Sequence, residues 1–345
     1  MRFFRSIVLL IICTFFALQA SFAQKIDTIV HVNGDVLTGD LKKMIYGVAT
    51  WKMDGMGTIN FEEVKIRTIK SPKLFEIKMK NGFIYFGSFD TSGIDRKTYI
   101  VMTNGRELVD ISEIVEVYPI RRNFWMRTSG NFSLGLNYSK GSTVTTLTFS
   151  GNLTYRKKKS YWDFNWDDNN TFQADTLSSS KVDATLAWQR LLKNHWSSQV
   201  AVSVSQNSEL GTKRRTGMSI IGIRDLAYNN WNRFYAGAGL SVTNEIPYGD
   251  AEVTNDLLGV ITLVWKVYKF TAPKVWVDAS IAYLPYFTDR GRHRISINLN
   301  PQVSVIGDDL KVGFTSYYAY DSKPSGDASS SDDYGVNLTI TYSFH

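Results

Sequence analysis

From Phe124 onward, apolar and polar residues alternate with a period of two. FSLGLNY (132–138) sets Phe132, Leu134, Leu136 and Tyr138 against Ser133, Gly135 and Asn137. TLTFSGNLTY (146–155) and YWDFNWD (161–167) repeat the pattern, the latter with Trp162, Phe164 and Trp166 opposite Asp163, Asn165 and Asp167. A strict period of two describes a strand with one apolar and one polar face. Carboxylates on one face and bare tryptophans on the other do not suit a sheet whose outside meets water. They suit lipid outside and a wet lumen inside.

The same reading predicts strands at about 181–192, 196–206, 214–228, 233–244, 253–268, 274–286, 292–305, 310–320 and 334–344, twelve in all. LLGVITLVWKVY is more continuously apolar, and its facing is not legible. Most strands run about ten to fifteen residues, enough to cross a bilayer at a tilt. An open sheet edge in hydrocarbon would leave backbone groups without partners, so the sheet is expected to close. Connections after even strands are tight (RKKKS, KNH, NNWN, KFTAP, IGDD), while NSELGTK, EIPYGDAE and DSKPSGDASSSDD lie on the other side. Outer-membrane barrels show this parity when both termini are periplasmic. A soluble β-sandwich with inward rings is the alternative.

Ahead of the barrel, HVNGDVLTGDL (31–41) carries an Asn33-Gly34 hairpin signal followed by Gly39. KNGFIYFGSFD (80–90) repeats it with Asn81-Gly82 and Gly87, an offset of 48 residues, and Ile66 and Ile69 recur as Ile114 and Val117. Units this small cannot bury a face alone, so paired small barrels or one sandwich are expected. Asn104-Gly105 supplies a third turn, and Pro119 with Arg121-Arg122 marks the boundary. The expected fold class is therefore all-β: a small duplicated β domain, SH3- or Sm-like and periplasmic, over 24–120, then a 12-stranded antiparallel transmembrane β-barrel over 124–345.

Residues 1–23 read as a signal peptide. MRFFR is basic, SIVLLIICTFFAL is a short apolar run, and Ser21-Phe22-Ala23 predicts cleavage after Ala23. An uncleaved anchor helix is the alternative. The single cysteine, Cys13, lies in that run, so the mature chain is expected to hold no disulfide, thiol nucleophile or cysteine metal site. Net charge is +7, and +5 without Arg2 and Arg5, too diffuse to indicate nucleic acid. Aromatics reach 14% while mean hydropathy stays at −0.17, which suits amphipathic strands meeting lipid.

Candidate chemistry is sparse. His293 and Ser296 are three apart and fall on opposite faces of a strand, so they fail as the base and nucleophile of an outer-membrane lipid hydrolase. His195 beside Trp196 is assigned to the membrane interface belt. Asp327, Asp332 and Asp333 offer oxygen ligands that suit calcium, with a solvated loop as the other reading. Arg156-Lys157-Lys158-Lys159 is expected to be a solvated turn or to touch lipid headgroups. No cofactor is expected. The predicted lumen-lining residues are Asp163, Asn165, Asp167, Asp183, Gln189, Asp278, Arg294 and Asn298. Paired across the lumen they would plug it; left apart they would leave a polar path.

Asn33-Gly34-Asp35 with Gly39, its recurrence at Asn81-Gly82 with Gly87, the hairpin FSLGLNYSKGSTVTTLTFSGNLTYR (132–156) and the ending VNLTITYSFH together resemble the salt-induced outer membrane protein family, domain of unknown function 481. The resemblance implies an outer-membrane location and a tie to osmotic or salt stress, and it carries over no catalytic residue. The last strand, ending in Tyr342 and Phe344, resembles the sorting signal read by barrel-insertion machinery, with His345 as a departure after it. Expected partners are outer-membrane lipid, that machinery and a periplasmic protein bound by residues 24–120. The expected function is non-enzymatic: a narrow pore or structural envelope element, or else an interaction module anchored by a plugged barrel.

Overall fold

The alternating segments become strands throughout, and the strands form two sheets. The structure is a computed structural model describing residues 27–344, apart from 54, 121–123, 125–126, 140–142, 175, 251, 270–272, 307–309 and 325–329. The leader, with Cys13 and the Ala23 cleavage site, lies outside the described residues, as does Asp327.

The front sheet contains β1 (Asp27–His31), β2 (Val36–Ile45), β3 (Val48–Met53), β4 (Gly57–Glu62), β5 (Ile66–Met79), β6 (Ile84–Thr91), β7 (Lys97–Met102), β8 (Gly105–Asp110) and β9 (Ile114–Pro119). The 48-residue offset holds element by element. β1 maps onto the second half of β5, β2 onto β6, β3 onto β7 and β4 onto β8. The 3-10 turn Glu63–Lys65 maps onto Ile111–Glu113, and the first half of β5 maps onto β9. β5 therefore ends one unit and begins the next.

The sheet runs β4-β3-β2-β1-β5-β6-β7-β8, and β9 pairs with both β2 and β5 to close a ring. Separate paired barrels would have two cores. Here one cluster spans both units, with Ile29, Leu41, Trp51, Ile69, Phe75, Ile77, Ile100, Ile111 and Val117 buried together. The repeated glycines explain the motif. A Cβ on Gly39 would lie 2.5 Å from the Lys52 carbonyl oxygen and from Trp51 Nε1, and one on Gly87 would lie 2.5 Å from the Val101 carbonyl oxygen. Both mark points where a neighbouring strand backbone passes too close for any side chain. The turn glycines Gly34 and Gly82 have φ of +97° and +81°, which only glycine adopts freely.

The second sheet contains β10 (Thr128–Ser139), β11 (Val144–Lys157), β12 (Ser160–Gln173), β13 (Thr176–Leu191), β14 (Trp196–Asn207), β15 (Thr212–Tyr228), β16 (Asn232–Pro247), β17 (Thr254–Lys269), β18 (Val275–Pro285), β19 (His293–Ile306), β20 (Leu310–Asp321) and β21 (Asp332–Phe344). All twelve are antiparallel and close into a barrel where β10 meets β21, with Phe132 opposite Tyr342 and Gly130 opposite Phe344.

Burial is inverted relative to a soluble domain. Leu134, Leu136, Ile220, Val242, Leu338 and Ile340 are exposed, while Ser133, Thr148, Thr339 and Thr341 are buried. The apolar face points out and the small polar face points in, as lipid requires. Aromatics collect at both ends of the outer wall: Trp162, Trp196, Trp231 and Trp265 at the front-domain end, and Tyr138, Phe287 and Tyr334 at the far end. The facing of β17 is now defined. Leu257, Ile261, Leu263 and Trp265 are exposed on the outer wall, whereas Leu258 and Val260 are buried inside with Tyr286. The continuous apolar run arises because both faces of this strand meet apolar surroundings.

Candidate functional site

Strand alternation puts all eight predicted lumen residues on the inner face. Registers carry the assignment from strand to strand: Ser133 lies opposite Ser150, Ser150 opposite Asp167, and Asp167 opposite Asp183. Most of the eight bond to a neighbouring strand rather than across the lumen. Asp163 accepts from Thr154 Oγ1 at 2.5 Å, and Asn165 accepts from Asn152 at 2.7 Å. Gln189 donates to Ser197 at 2.7 Å, and Asn298 donates to Ser280 at 3.4 Å. Asp278 lies 3.4 Å from Lys266, and Asp183 lies 3.1 Å from Lys181 on its own strand. Arg294 packs 5.9 Å from the Tyr286 ring centroid, and its Nη1 has no hydrogen-bond partner among the described residues. These residues line and stitch the wall and do not meet as one site.

The residues that cross the lumen are different ones, at the far end. Arg215 on β15 makes two bonds to Glu245 on β16, at 3.1 and 2.7 Å. Arg292, from the β18–β19 connection, reaches Glu245 at 3.2 Å and Asp321 on β20 at 2.7 Å. Glu245 and Asp321 stand four strands apart, so Arg292 spans a chord of the barrel. A second chord runs from Asn207 on β14 to Asp333 on β21 at 2.8 Å, with the Tyr317 hydroxyl donating to the same carboxylate at 3.2 Å. A third places the Lys181 ammonium 4.1 Å from the Tyr317 ring centroid. The four ionic residues of the first chord are almost wholly buried, and two arginines balance two carboxylates. Leu258, Val260 and Tyr286 cluster together, and the Arg292 guanidinium lies 4.6 Å from the Tyr286 ring centroid. Asp333, offered above as a calcium ligand, is instead satisfied by Asn207 and Tyr317. Among the described residues no group of three or more potential metal ligands assembles.

At the opposite end, the barrel mouth meets the front domain. Arg156 is the last inward residue of β11 and turns into the mouth, not toward lipid or solvent. Its guanidinium lies 3.9 Å from the Tyr118 ring centroid and 3.9 Å from Glu76. The Lys159 amide donates to Glu76 at 3.2 Å, and Lys158 sits 4.5 Å from the Phe86 centroid. The basic turn is thus a docking contact. Tyr46 stacks on Tyr268 at 3.5 Å between centroids. His195 is not a membrane-belt residue: its ring and backbone nitrogen close on Gly82, where a Cβ would be 2.9 Å away. Glu116 on β9 pairs with Lys78 at 2.8 Å. Burial alone would raise its pKa, but Lys78, Arg233 and Arg156 outweigh it and hold the carboxyl at about 2. Two of those three cations belong to the barrel.

His293 and Ser296 do fall on opposite faces of β19. The His293 ring sits on the outer side between Tyr283 and Tyr320, at 5.9 and 5.8 Å. Sequence reasoning missed Arg215, Glu245, Arg292 and Asp321. Their only signal was a charged position on the polar face of a strand, or beside one.

No family model matches the chain, and no curated protein matches it. Among solved structures, the chain is similar to a NanC porin, at 9% identity over 62% of this chain and 98% of that one, with a TM-score of 0.42. It is also similar to a bacterial polysaccharide outer membrane secretin (9% identity, 63% and 98% covered, TM-score 0.32). A third is the beta domain of the Bordetella autotransporter BrkA (11% identity, 63% and 97% covered, TM-score 0.31).

Proposed function

We propose that the chain is a non-enzymatic outer-membrane anchor: a barrel with a closed lumen that holds its front domain against the periplasmic mouth. The observation carrying this reading is the set of chords at the far end, where Arg292 joins Glu245 to Asp321 and Asn207 joins β14 to β21. Buried ion pairs that span the cavity support a lumen closed along that end. The front domain covers the other end through Arg156, Tyr118, Tyr46 and Tyr268. Short connections at the front-domain end support an orientation with that end in the periplasm. Planar-bilayer recording of the folded full chain tests the reading. No resolved conductance steps are expected, and regular steps from the wild-type protein would overturn it.

A second reading, a narrow pore gated by the front domain, is favoured by one feature. The cap is a separate sheet with its own core, held to the mouth by charge and ring contacts, so it has an interface that can part. The role of the anchored domain is to bind a periplasmic protein. Its sheet leaves β4 and β8 as edge strands, and edges are where a further strand adds. The family resemblance ties this anchoring to salt stress; comparing protein levels in cells grown at low and high osmolarity tests that tie.

A further inference from the structure

Two neighbouring cations at the far end of the outer barrel wall have, among the described residues, no acidic partner. Lys213 and Arg214 open β15 at the far end, both exposed, and among the described residues neither lies within ion-pair distance of a carboxylate. With Gln206, Ile246 and Tyr248 they line a cleft of about 440 Å³. Two of its lining residues are tied in place: Gln206 Nε2 donates to the Tyr248 hydroxyl at 3.0 Å, and the Tyr248 amide donates to the Gly211 carbonyl at 2.8 Å.

The height of the cleft is set by its own strand. The outward residues of β15 run from Arg214 through Met218 and Ile220 to Arg224, and Arg224 lies 5.5 Å from the Trp196 ring centroid. From Arg214 to Arg224 the strand rises about 33 Å. At a tilt of about 40° this becomes about 25 Å, the usual height of a barrel's apolar band. Arg224 with Trp196 therefore marks one membrane interface and Arg214 marks the other. Directly below the cleft, Val204, Met218 and Val242 are exposed and apolar.

We propose that this cleft binds the phosphate of a phosphorylated glycolipid in the outer leaflet, whose acyl chains lie along Val204, Met218 and Val242. An arginine fork beside a lysine suits a phosphate's several oxygens. The Gln206 amide and Tyr248 hydroxyl offer bonds to sugar. The apolar wall beneath distinguishes a lipid from a free anion.

The assignment to the outer leaflet rests on the orientation proposed above; the binding itself does not. The test uses the full chain in neutral detergent, incubated with a bisphosphorylated glycolipid and analysed by native mass spectrometry. Wild type is compared with the double variant Lys213→Gln/Arg214→Gln, whose heat-dependent gel shift checks that the barrel is intact. Removing two interfacial cations is expected to weaken retention about thirty-fold. The same glycolipid stripped of its phosphates should bind wild type no better than the variant, and excess inorganic phosphate should not displace the intact lipid. Equal retention by variant and wild type, or equal binding of the stripped lipid, overturns the proposal. Displacement by inorganic phosphate overturns the lipid assignment in favour of a free-anion site. Protease protection of the front domain in intact cells tests the orientation separately.

Discussion

Glu116→Gln tests whether charge from the barrel stabilises the front domain. In the native protein Glu116 is buried on β9, beside Lys78 and within the field of Arg156 and Arg233. Its carboxyl is held at about 2 against an ordinary 4.5. That difference corresponds to about 3 kcal/mol of stability at neutral pH. Because the folded value is depressed, the contribution is complete above pH 4.5 and is lost as pH falls through the interval down to about 2. Calorimetry of the front-domain transition in detergent, at pH 6 and pH 3, reads this directly. Other carboxylates titrate in both proteins, so the informative quantity is the difference between them. Wild type should lose about 2 kcal/mol more than Glu116→Gln over that interval, a Tm fall about 10 °C larger. At pH 6 the variant should be the less stable protein, since three cations lose their shared anion. If both proteins show the same pH slope, the barrel's arginines are not acting on Glu116 and the electrostatic account of docking fails.

Other outcomes follow from the geometry. Glu245→Ala leaves Arg215 and Arg292 short of a buried counter-charge and should destabilise the barrel by about 3–5 kcal/mol, read as a lower temperature for the gel shift. Gly87→Ala forces a methyl against the Val101 carbonyl and should cost the front domain about 1–3 kcal/mol, visible as a lower first calorimetric transition with the barrel transition unmoved. Gly39→Ala should behave alike, because Gly39 holds the same place in the other repeat. Gly82→Val combines an unfavourable φ with a collision at His195; faster hydrogen exchange at residues 193–196 should report the loosened cap.

The barrel was legible in the sequence because lipid imposes one rule on every strand: apolar out, on alternate residues. Each predicted strand overlaps an observed one. β17 escaped the rule because Leu258 and Val260 face an apolar patch inside the lumen. Arg156 was misread because a run of four basic residues resembles a solvated turn, although strand parity points its first member inward. The chords were not legible at all. Which inward residues meet across a closed sheet depends on strand tilt and register summed around the ring, and Arg292 enters from a connection, where alternation says nothing. In the front domain, the Asn-Gly turns and the 48-residue offset revealed the duplication. That both copies share one core depends on β9 returning to β2 and β5, a pairing across more than seventy residues in the first case.

The strand from Ile66 to Met79 belongs to both halves of the front domain at once. Cutting it between the repeats would leave each with five strands but would break the pairings of Met44 with Val117 and of Ser71 with Phe89. A single copy alone would leave β2 without the pairing that β9 supplies, and the tandem arrangement makes that partner covalent and always in register.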